Sequence, residues 1–233
     1  MLVRVDNLTK KYGPFTALDR VTFSVRAGEV LGLIGPNGSG KTTLFECLGG
    51  VLPFENGTVG PRFNVDGSPL MFYLPDGISP WPDQSVRWVL DYAVGYFGGD
   101  RAHVPDLVER LDLGPFLSQP VRALSKGQRK RTLLAVGLLA PHRILLADEP
   151  FDGLDLRQAR EVAALLREVV ASGRTLFLSI HQITDAARVC DRFVLLSGGR
   201  VCGEGTIEEL ATRVGGHDPT DKRDLEEVFL ALT

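Results

Sequence analysis

Apolar and polar positions along this 233-residue chain follow two different patterns. In residues 2–6 and 20–25 they alternate, which predicts half-buried antiparallel strands. Short runs that are apolar throughout occur at 30–34, 144–147, 175–180 and 193–196 and are typical of strands buried on both faces of a sheet. A further strand is expected at 71–74, and residues 197–200 predict a hairpin that leads into Val201 and Cys202.

Helical spacing separates these strands. Residues 43–48 predict the first turns of a helix directly after the run at 30–34. A longer helix follows Asp155, which can cap it, and ends before Gly173. Its apolar stripe consists of Leu156, Ala159, Val162, Ala163, Leu166, Val169 and Val170. Strands that alternate with helices predict an α/β fold with a mostly parallel sheet covered on both faces.

Residues 77–135 differ from the rest, because helix-like patterns separated by proline and glycine replace the strand patterns. The apolar positions in this region are Val86, Val89, Leu90, Ala93, Val94, Leu107, Val108 and Leu111. We predict one domain over residues 1–233, with a core formed by 1–76 and 136–210, a helical subdomain inserted at 77–135 and a tail at 211–233.

Composition limits the molecules that the protein could bind and the compartment in which it could act. A net charge of -3 argues against nucleic acid as the main partner. Three cysteines without metal-ligand spacing favour a reducing compartment. The N-terminus lacks the pattern of a signal peptide, and the longest apolar stretch, 133–140, is too short to span a bilayer. We therefore expect any link to a membrane to run through another protein.

The most informative motif follows the run at 30–34 and fits G-x-x-x-x-G-K-[ST], the loop that surrounds nucleotide phosphates. Glycine allows backbone N–H groups to approach a polyphosphate closely. Lys41 is expected beside the β- and γ-phosphates, and Thr42 is expected to offer its hydroxyl to Mg²⁺. The predicted phosphate-binding residues are Gly35, Pro36, Asn37, Gly38, Ser39, Gly40, Lys41, Thr42 and Thr43.

Two further motifs accompany this loop. The apolar run at 144–147 ends in Asp148 and Glu149, at the strand end where ligands gather in such sheets. Asp148 can hold Mg²⁺ through water, and Glu149 can polarise an attacking water. Residues 124–128 read Leu-Ser-Lys-Gly-Gln and lie shortly before this acidic strand.

With these motifs in this order, the chain resembles the nucleotide-binding subunits of ABC transporters, whose signature is LSGGQ. The resemblance covers essentially the whole chain. It implies a P-loop NTPase (RecA-like) core, an N-terminal antiparallel β subdomain and an inserted helical subdomain. It also implies binding and hydrolysis of ATP with Mg²⁺.

The resemblance assigns roles to individual residues. Tyr12 matches the aromatic residue that stacks on adenine, unless it is an exposed tyrosine in a turn. Glu149 matches the catalytic carboxylate, and His181 matches the switch histidine near the γ-phosphate. Asp155 resembles a residue of the loop that touches the opposite subunit, which is compatible with helix capping. The signature residues expected across the partner's nucleotide are Ser125, Lys126, Gly127 and Gln128.

Three positions depart from the family pattern. Lys126 replaces a glycine, and is either a cation near phosphate or simply solvated. Asp76, after the strand at 71–74, holds the position of the family's glutamine; it can accept hydrogen bonds and hold Mg²⁺ through water, but cannot donate as an amide does. Ala147 stands where leucine is common, and we expect no consequence.

Partners and location are also implied by the resemblance. Residues 73–76, 125–127 and 225–230 resemble subunits of the exporter-like ABC-2 group, whose permease is usually a separate polypeptide. We expect a homodimer or a heterodimer with a related subunit, and a cytoplasmic protein peripheral to the inner face of the membrane. The aromatic residues Phe72, Tyr73, Trp81 and Trp88 line the permease groove or belong to the core. The alternatives are a repair- or ribosome-associated ABC ATPase and a module that binds ATP without hydrolysing it.

Overall fold

The structure, a computed structural model, describes residues 1–214 apart from the side chains of Ile183, Thr184 and Val214. The strands in this range are β1 (Val3–Tyr12), β2 (Phe15–Val25), β3 (Val30–Ile34), β4 (Asn56–Gly60), β5 (Met71–Leu74), β6 (Ile144–Asp148), β7 (Thr175–Ser179), β8 (Arg192–Ser197) and β9 (Arg200–Gly205). The α-helices are α1 (Lys41–Leu48), α2 (Val86–Phe97), α3 (Val104–Arg110), α4 (Lys126–Leu139), α5 (Leu156–Ala171), α6 (Ile183–Val189) and α7 (Ile207–Val214). Short 3-10 turns lie at Arg101–His103, Gly114–Phe116 and Val121–Ala123.

Two sheets form the framework. The larger has the strand order β5-β6-β7-β3-β8-β9, in which the first five strands are parallel and β9 is antiparallel to β8. The smaller sheet is antiparallel, with the order β2-β1-β4. The α/β fold, its parallel sheet and its N-terminal antiparallel unit are thus confirmed. Strand β4 was not predicted, because its sequence Asn-Gly-Thr-Val-Gly shows no strand pattern.

Apolar side chains form two clusters, one on each side of the larger sheet. One cluster joins that sheet to the smaller sheet and α1, where the Phe177 ring packs 4.9 Å from the Phe45 ring and 5.4 Å from the Phe23 ring, measured between centroids. The other cluster contains residues of α2, α3, α4 and α5 together with Leu145 and Leu176 of the sheet. The helices of residues 77–135 therefore share a core with the sheet, and α4 continues past residue 135 to Leu139.

Side-chain caps fix where two helices near the site begin. At α4 the Ser125 hydroxyl and the Gln128 side chain form a capping box, and Asp155 and Gln158 do the same at α5. The prediction that Leu156 belongs to the apolar stripe is wrong. As the first residue of α5 it lies directly after the cap and remains 59% exposed. Helix α1 begins at Lys41, two residues earlier than expected.

An aromatic row follows the outer face of α2 and consists of Trp81, Trp88, Tyr92 and Tyr96. The Trp88 and Tyr92 rings stack with centroids 5.0 Å apart, and Tyr92 stacks on Tyr96 at 5.4 Å. Trp88 is 38% and Tyr96 69% exposed. Phe72 and Tyr73 instead pack inward against the two clusters.

The remaining expectations on topology concern membranes and the C-terminus. Within residues 1–214, no helix combines the length and the apolar character that a bilayer span requires. The predicted tail lies outside the described residues from 215 onward, and so does the 225–230 segment used in the comparison with exporter-type subunits.

Candidate functional site

Four strands of the larger sheet end at one cavity of about 470 Å³. The segments that follow β3, β5, β6 and β7 contribute Asn37, Asp76, Glu149 and His181 to its lining, and Asp155 borders it from the start of α5. Parallel strands bring residues that are distant in sequence to a common edge, where α/β proteins bind ligands. Five of the predicted site residues therefore surround one space.

The loop between β3 and α1 has a backbone that can surround an anion. Gly38 and Gly40 have φ values of 79° and 105°, a left-handed conformation that glycine adopts readily. A Cβ atom on Gly38 would meet nothing within 4 Å, so the backbone there is open to a ligand. The buried Lys41 Nζ donates to the backbone oxygens of Gly35 (2.8 Å) and Pro36 (3.3 Å), which holds the ammonium group inside the loop.

A buried hydroxyl in this loop indicates what the loop accepts. The Ser39 Oγ is buried and has no hydrogen-bond partner among the protein atoms. Such a group destabilises a protein unless a ligand or water satisfies it. Ser39 lies just before α1. The backbone N–H groups in the first turn of this helix, including that of Thr43, also favour an anion. A phosphate group fits this arrangement.

Tyr12 is the last residue of β1 and not part of the turn that follows. Its side chain is 47% exposed, and the Lys10 Nζ lies 5.3 Å from the ring centroid. The β1–β2 hairpin contacts the loop after β3, because a Cβ atom on Gly40 would lie 2.9 Å from the Ala17 oxygen. Tyr12 thus offers an accessible ring on an element adjacent to that loop.

Asp148 ends β6 and is held by two hydroxyl groups. The Thr42 hydroxyl donates to its Oδ2 at 2.8 Å, and the Ser179 hydroxyl of β7 donates to its Oδ1. Carboxylate and hydroxyl oxygens are ligands that Mg²⁺ prefers. Within residues 1–214 no three His, Cys, Asp or Glu side chains are grouped as a metal site. The Thr42–Asp148 pair therefore fits a magnesium ion that takes its other ligands from water and a phosphate.

Glu149 begins the turn after β6 with a φ of 50°, which is unusual for a residue other than glycine. Its backbone N–H donates to the Ser179 Oγ at 2.9 Å. Burial raises the pKa of the Glu149 carboxyl; the positive charge of Lys41 opposes the shift and the negative charge of Asp148 adds to it. A carboxyl group with a raised pKa is better suited to accept a proton near neutral pH.

Two other predicted residues border the cavity. His181 follows β7 and is exposed on the cavity side. The Asp155 carboxylate accepts a hydrogen bond from the Gln158 N–H at 2.8 Å, so the expected helix cap is present.

Asp76 is bound to a lysine that no motif had indicated. Its Oδ1 lies 2.5 Å from the Nζ of Lys130, which is buried on α4. Burial acts to raise the pKa of Asp76, but the hydrogen bond and charge of Lys130 outweigh it, so the pKa lies below its usual value. The structure thus places Asp76 in the cavity wall as one half of an ion pair.

The signature residues Ser125–Gln128 lie beside the cavity and do not line it. Ser125 and Gln128 are engaged in capping α4. The Lys126 Nζ lies 2.6 Å from the Asp152 carboxylate, and a Cβ atom on Gly127 would lie 2.6 Å from the Gly153 oxygen. Lys126 therefore belongs to an exposed ion pair with the loop that follows Glu149.

Comparison with known proteins places this site in a family. The profile of the family described as ABC transporter matches residues 18–152, which is more than half of the chain. The chain belongs to the ABC transporter family. A solved structure described as the ATP-binding subunit of an ABC transporter superposes with a TM-score of 0.88. At 27% identity it covers 100% of this chain and 99% of that one.

Two curated relatives of this ABC subunit are similar over most of its length. The Nod factor export ATP-binding protein I of Ralstonia nicotianae is 35% identical over 227 residues, 93% of this chain and 71% of that protein. The daunorubicin resistance ATP-binding protein DrrA3 of Streptomyces coeruleorubidus is 34% identical over 233 residues, 92% of this chain and 71% of that protein. The predicted family is confirmed, and the chain is an ATP-hydrolysing ABC transporter subunit.

Three side chains at the site of this ABC subunit were missed at the level of sequence. Ser179 ends a buried run and is the one polar residue there that faces Asp148. Lys130 and Asp152 each join an ion pair with a residue of another loop or helix. Arg131 and Thr132 of α4 are buried as well, so no sequence signal singled out Lys130.

Replacing Glu149 by glutamine should stabilise the nucleotide-free subunit at neutral pH. Because the folded-state pKa of Glu149 is raised, its stability contribution is fully present below the unfolded pKa and is lost as pH rises through the folded value. Urea unfolding of Glu149→Gln and the wild type, in EDTA, should show a higher midpoint for the variant at pH 7.5. The difference should shrink towards pH 5. Glu109→Gln, on the exposed surface of α3, is the control, and an equal gain there would refute the burial argument.

Proposed function

We propose that this ABC subunit hydrolyses Mg-ATP between two head-to-tail copies and thereby powers export through a separate membrane permease. The observation that carries the proposal is the separation of its motifs. Asn37 of the phosphate loop and Glu149 line one cavity, whereas the signature that begins at Ser125 lies outside it on the same chain. A second copy would supply the missing signature.

The loop after β3 would hold the phosphates. Backbone N–H groups of residues 35–43 would surround them, the Lys41 ammonium would move from the backbone oxygens it now contacts to a phosphate, and Ser39 would gain a partner. Thr42 and Asp148 would hold Mg²⁺, which neutralises charge on the β- and γ-phosphates when bound. Tyr12 would stack on the adenine ring.

Glu149 would orient and activate the attacking water. Its backbone is fixed by Ser179 and its pKa is raised, so it can accept a proton while remaining close to Asp148. His181 would contact the γ-phosphate from the end of β7, where it lines the same cavity. The buried neighbours of Glu149 keep bulk water from solvating the carboxylate.

The dimer would close over the γ-phosphate. Ser125 is exposed at the N-terminus of α4, where a helix end attracts anions, and would bind the nucleotide of the partner with Gly127. Asp155 would touch the opposite copy from the start of α5. Loss of the γ-phosphate on hydrolysis would remove these contacts, which makes the dimer a two-state switch.

Export and location are inferred from the relatives. One is described as a Nod factor export protein and another as a daunorubicin resistance protein, and both are ATP-binding proteins. We place the subunit on the cytoplasmic side of the membrane, held by a permease that contacts the aromatic row of α2. A repair- or ribosome-associated ATPase and a module that does not hydrolyse ATP are not favoured by these relatives.

Lys41→Ala should weaken ATP binding at least about tenfold, because a charge-assisted contact to phosphate is lost. Binding of a fluorescent ATP analogue, measured by titration with Mg²⁺, checks this. Arg160→Ala removes an exposed cation from α5 and should leave the affinity unchanged. Equal affinity of Lys41→Ala and the wild type would rule out the phosphate loop.

Glu149→Gln should dimerise in Mg-ATP because bound nucleotide persists, and light scattering after gel filtration should show a doubled mass. Ser125→Asp, added to Glu149→Gln, retains a good helix cap but places a negative charge against the partner's γ-phosphate. That double variant should remain monomeric. Ser125→Asn, a neutral cap in the same background, should dimerise. Dimers of the Ser125→Asp form would contradict the head-to-tail arrangement.

Tagged Glu149→Gln subunit, purified from detergent-solubilised membranes of its own cells, should carry one multi-span membrane protein in fixed ratio. Replacing the exposed Tyr96 by alanine should reduce the recovered amount several-fold if the aromatic row contacts the permease. Mass spectrometry identifies the recovered protein. Phe15→Ala, at an exposed site on the β1–β2 hairpin, is the matched control. Equal recovery of the membrane protein with Tyr96→Ala and with the parent subunit would show that the permease does not bind the aromatic row.

A further inference from the structure

Lys130 is a buried cation with one acidic partner. Its side chain is 7% exposed, and within residues 1–214 Asp76 is the acid within 4.0 Å of its ammonium. The Nζ also lies 3.4 Å from the backbone oxygen of Asp148. A buried ammonium group requires such pairing, because removing it from water costs far more than an exposed ion pair returns. Lys130 is thus held at the junction of α4, the loop after β5 and the end of β6.

The charges around the cavity explain what this pair does. The carboxylates that line the cavity proposed to receive a polyphosphate are those of Asp76, Glu149, Asp152, Asp155 and Asp185. An unpaired carboxylate at Asp76, whose side chain is 36% exposed, would repel the phosphates and attract a divalent cation. The ammonium of Lys130 cancels this charge at 2.5 Å. The pair therefore presents a nearly neutral wall that still contains an oxygen able to accept a hydrogen bond.

A second lysine on the same face of α4 shows that burial is the distinguishing feature. Lys126, four residues earlier, pairs with Asp152 at 2.6 Å, but the two side chains are 59% and 42% exposed. Exposed pairs contribute little, because water screens them. Asp152 lines the cavity, whereas Lys126 does not. The Lys126 pair is therefore exposed to solvent, whereas the Lys130 ammonium is buried.

We propose that Lys130 is a positioning residue of the ATP site, which holds Asp76 in the cavity wall and neutralises it so that the site accepts a polyphosphate. The proposal rests on the ATP site proposed above. It gives α4 two roles, since Lys130 would act in the ATP site of its own subunit while the signature at the start of α4 would bind the nucleotide of the partner. Lys130 acts through Asp76 and does not itself contact the nucleotide.

Binding of the non-hydrolysable analogue AMP-PNP, in EDTA and in excess Mg²⁺, tests this proposal in the full chain. Lys130→Met leaves Asp76 charged and should weaken metal-free binding about tenfold. The loss should be smaller in Mg²⁺, which the released carboxylate attracts. Asp76→Asn leaves the cation and should tighten metal-free binding about threefold. The double variant should return to within about twofold of the wild type.

The opposite signs of the two single variants separate charge from structural damage. Arg160→Met, which removes an exposed cation from α5, should change neither affinity by more than about twofold. Urea unfolding is measured in parallel, and Asp76→Asn should lower the midpoint because the buried ammonium loses its carboxylate. If Asp76→Asn does not fold, Lys130→Arg, which keeps the charge, replaces it and should bind metal-free AMP-PNP as the wild type does.

Two results would overturn the proposal. Weaker metal-free binding in both single variants, without recovery in the double variant, would show that the pair is only structural. Loss of binding in Lys130→Arg equal to that in Lys130→Met would show that charge is not what matters. Failure of the wild type to bind AMP-PNP at all would instead refute the proposed ATP site, so the two failures are distinguishable.

Discussion

The buried carboxylate of Asp148 is the interaction on which the arrangement of this site depends. It accepts hydrogen bonds from Thr42 on α1 and Ser179 on β7, and its backbone oxygen lies near the Lys130 ammonium of α4. One residue at the end of β6 therefore fixes the relative positions of the phosphate loop's helix, the strand before His181 and the signature helix. A buried carboxylate that lost these donors would be strongly destabilised. The hydrogen bonds around the buried Asp148 therefore hold α1, β7 and α4 in fixed positions relative to one another.

Much of the site could be predicted because its chemistry is carried by continuous segments. Residues 35–43 bind phosphate mainly through their backbone, so the sequence of a single loop is enough to recognise them. The acidic end of β6 was recognisable because an apolar run there ends abruptly in two carboxylates. Parallel pairing then forces these strand ends to a common edge, which is why residues far apart in sequence could be assigned to one site.

The parts that escaped prediction are contacts between segments. The Asp76–Lys130 pair joins residues 54 positions apart, and no periodicity links a loop residue to one particular lysine of a later helix. The sequence shows only that Lys126 replaces the glycine of the family signature. Its environment is set by Asp152, which lies in another loop. Strand β4 was missed for a similar reason, since its pairing with β1 compensates for a sequence of low strand propensity. Leu156 shows a different error, because the start of α5 was predicted correctly but its first residue is exposed and not buried.

The two clusters on either side of the larger sheet connect the site to distant surfaces. Movement of α4 would be transmitted to α2 through their shared apolar cluster, whereas α1 is packed on the opposite face with the smaller sheet. Elements that carry the phosphate loop and elements that carry the signature therefore belong to different packed layers.

The aromatic row of α2 has a consequence for spectroscopy. The chain contains two tryptophans, and both belong to this row, with ring centroids 6.0 Å apart. Indole emission excited beyond the tyrosine absorption band therefore originates entirely from one patch of the helical region, and the nucleotide cavity contributes none. A shift in that emission would report solvent access at α2 and could be followed in the unlabelled protein.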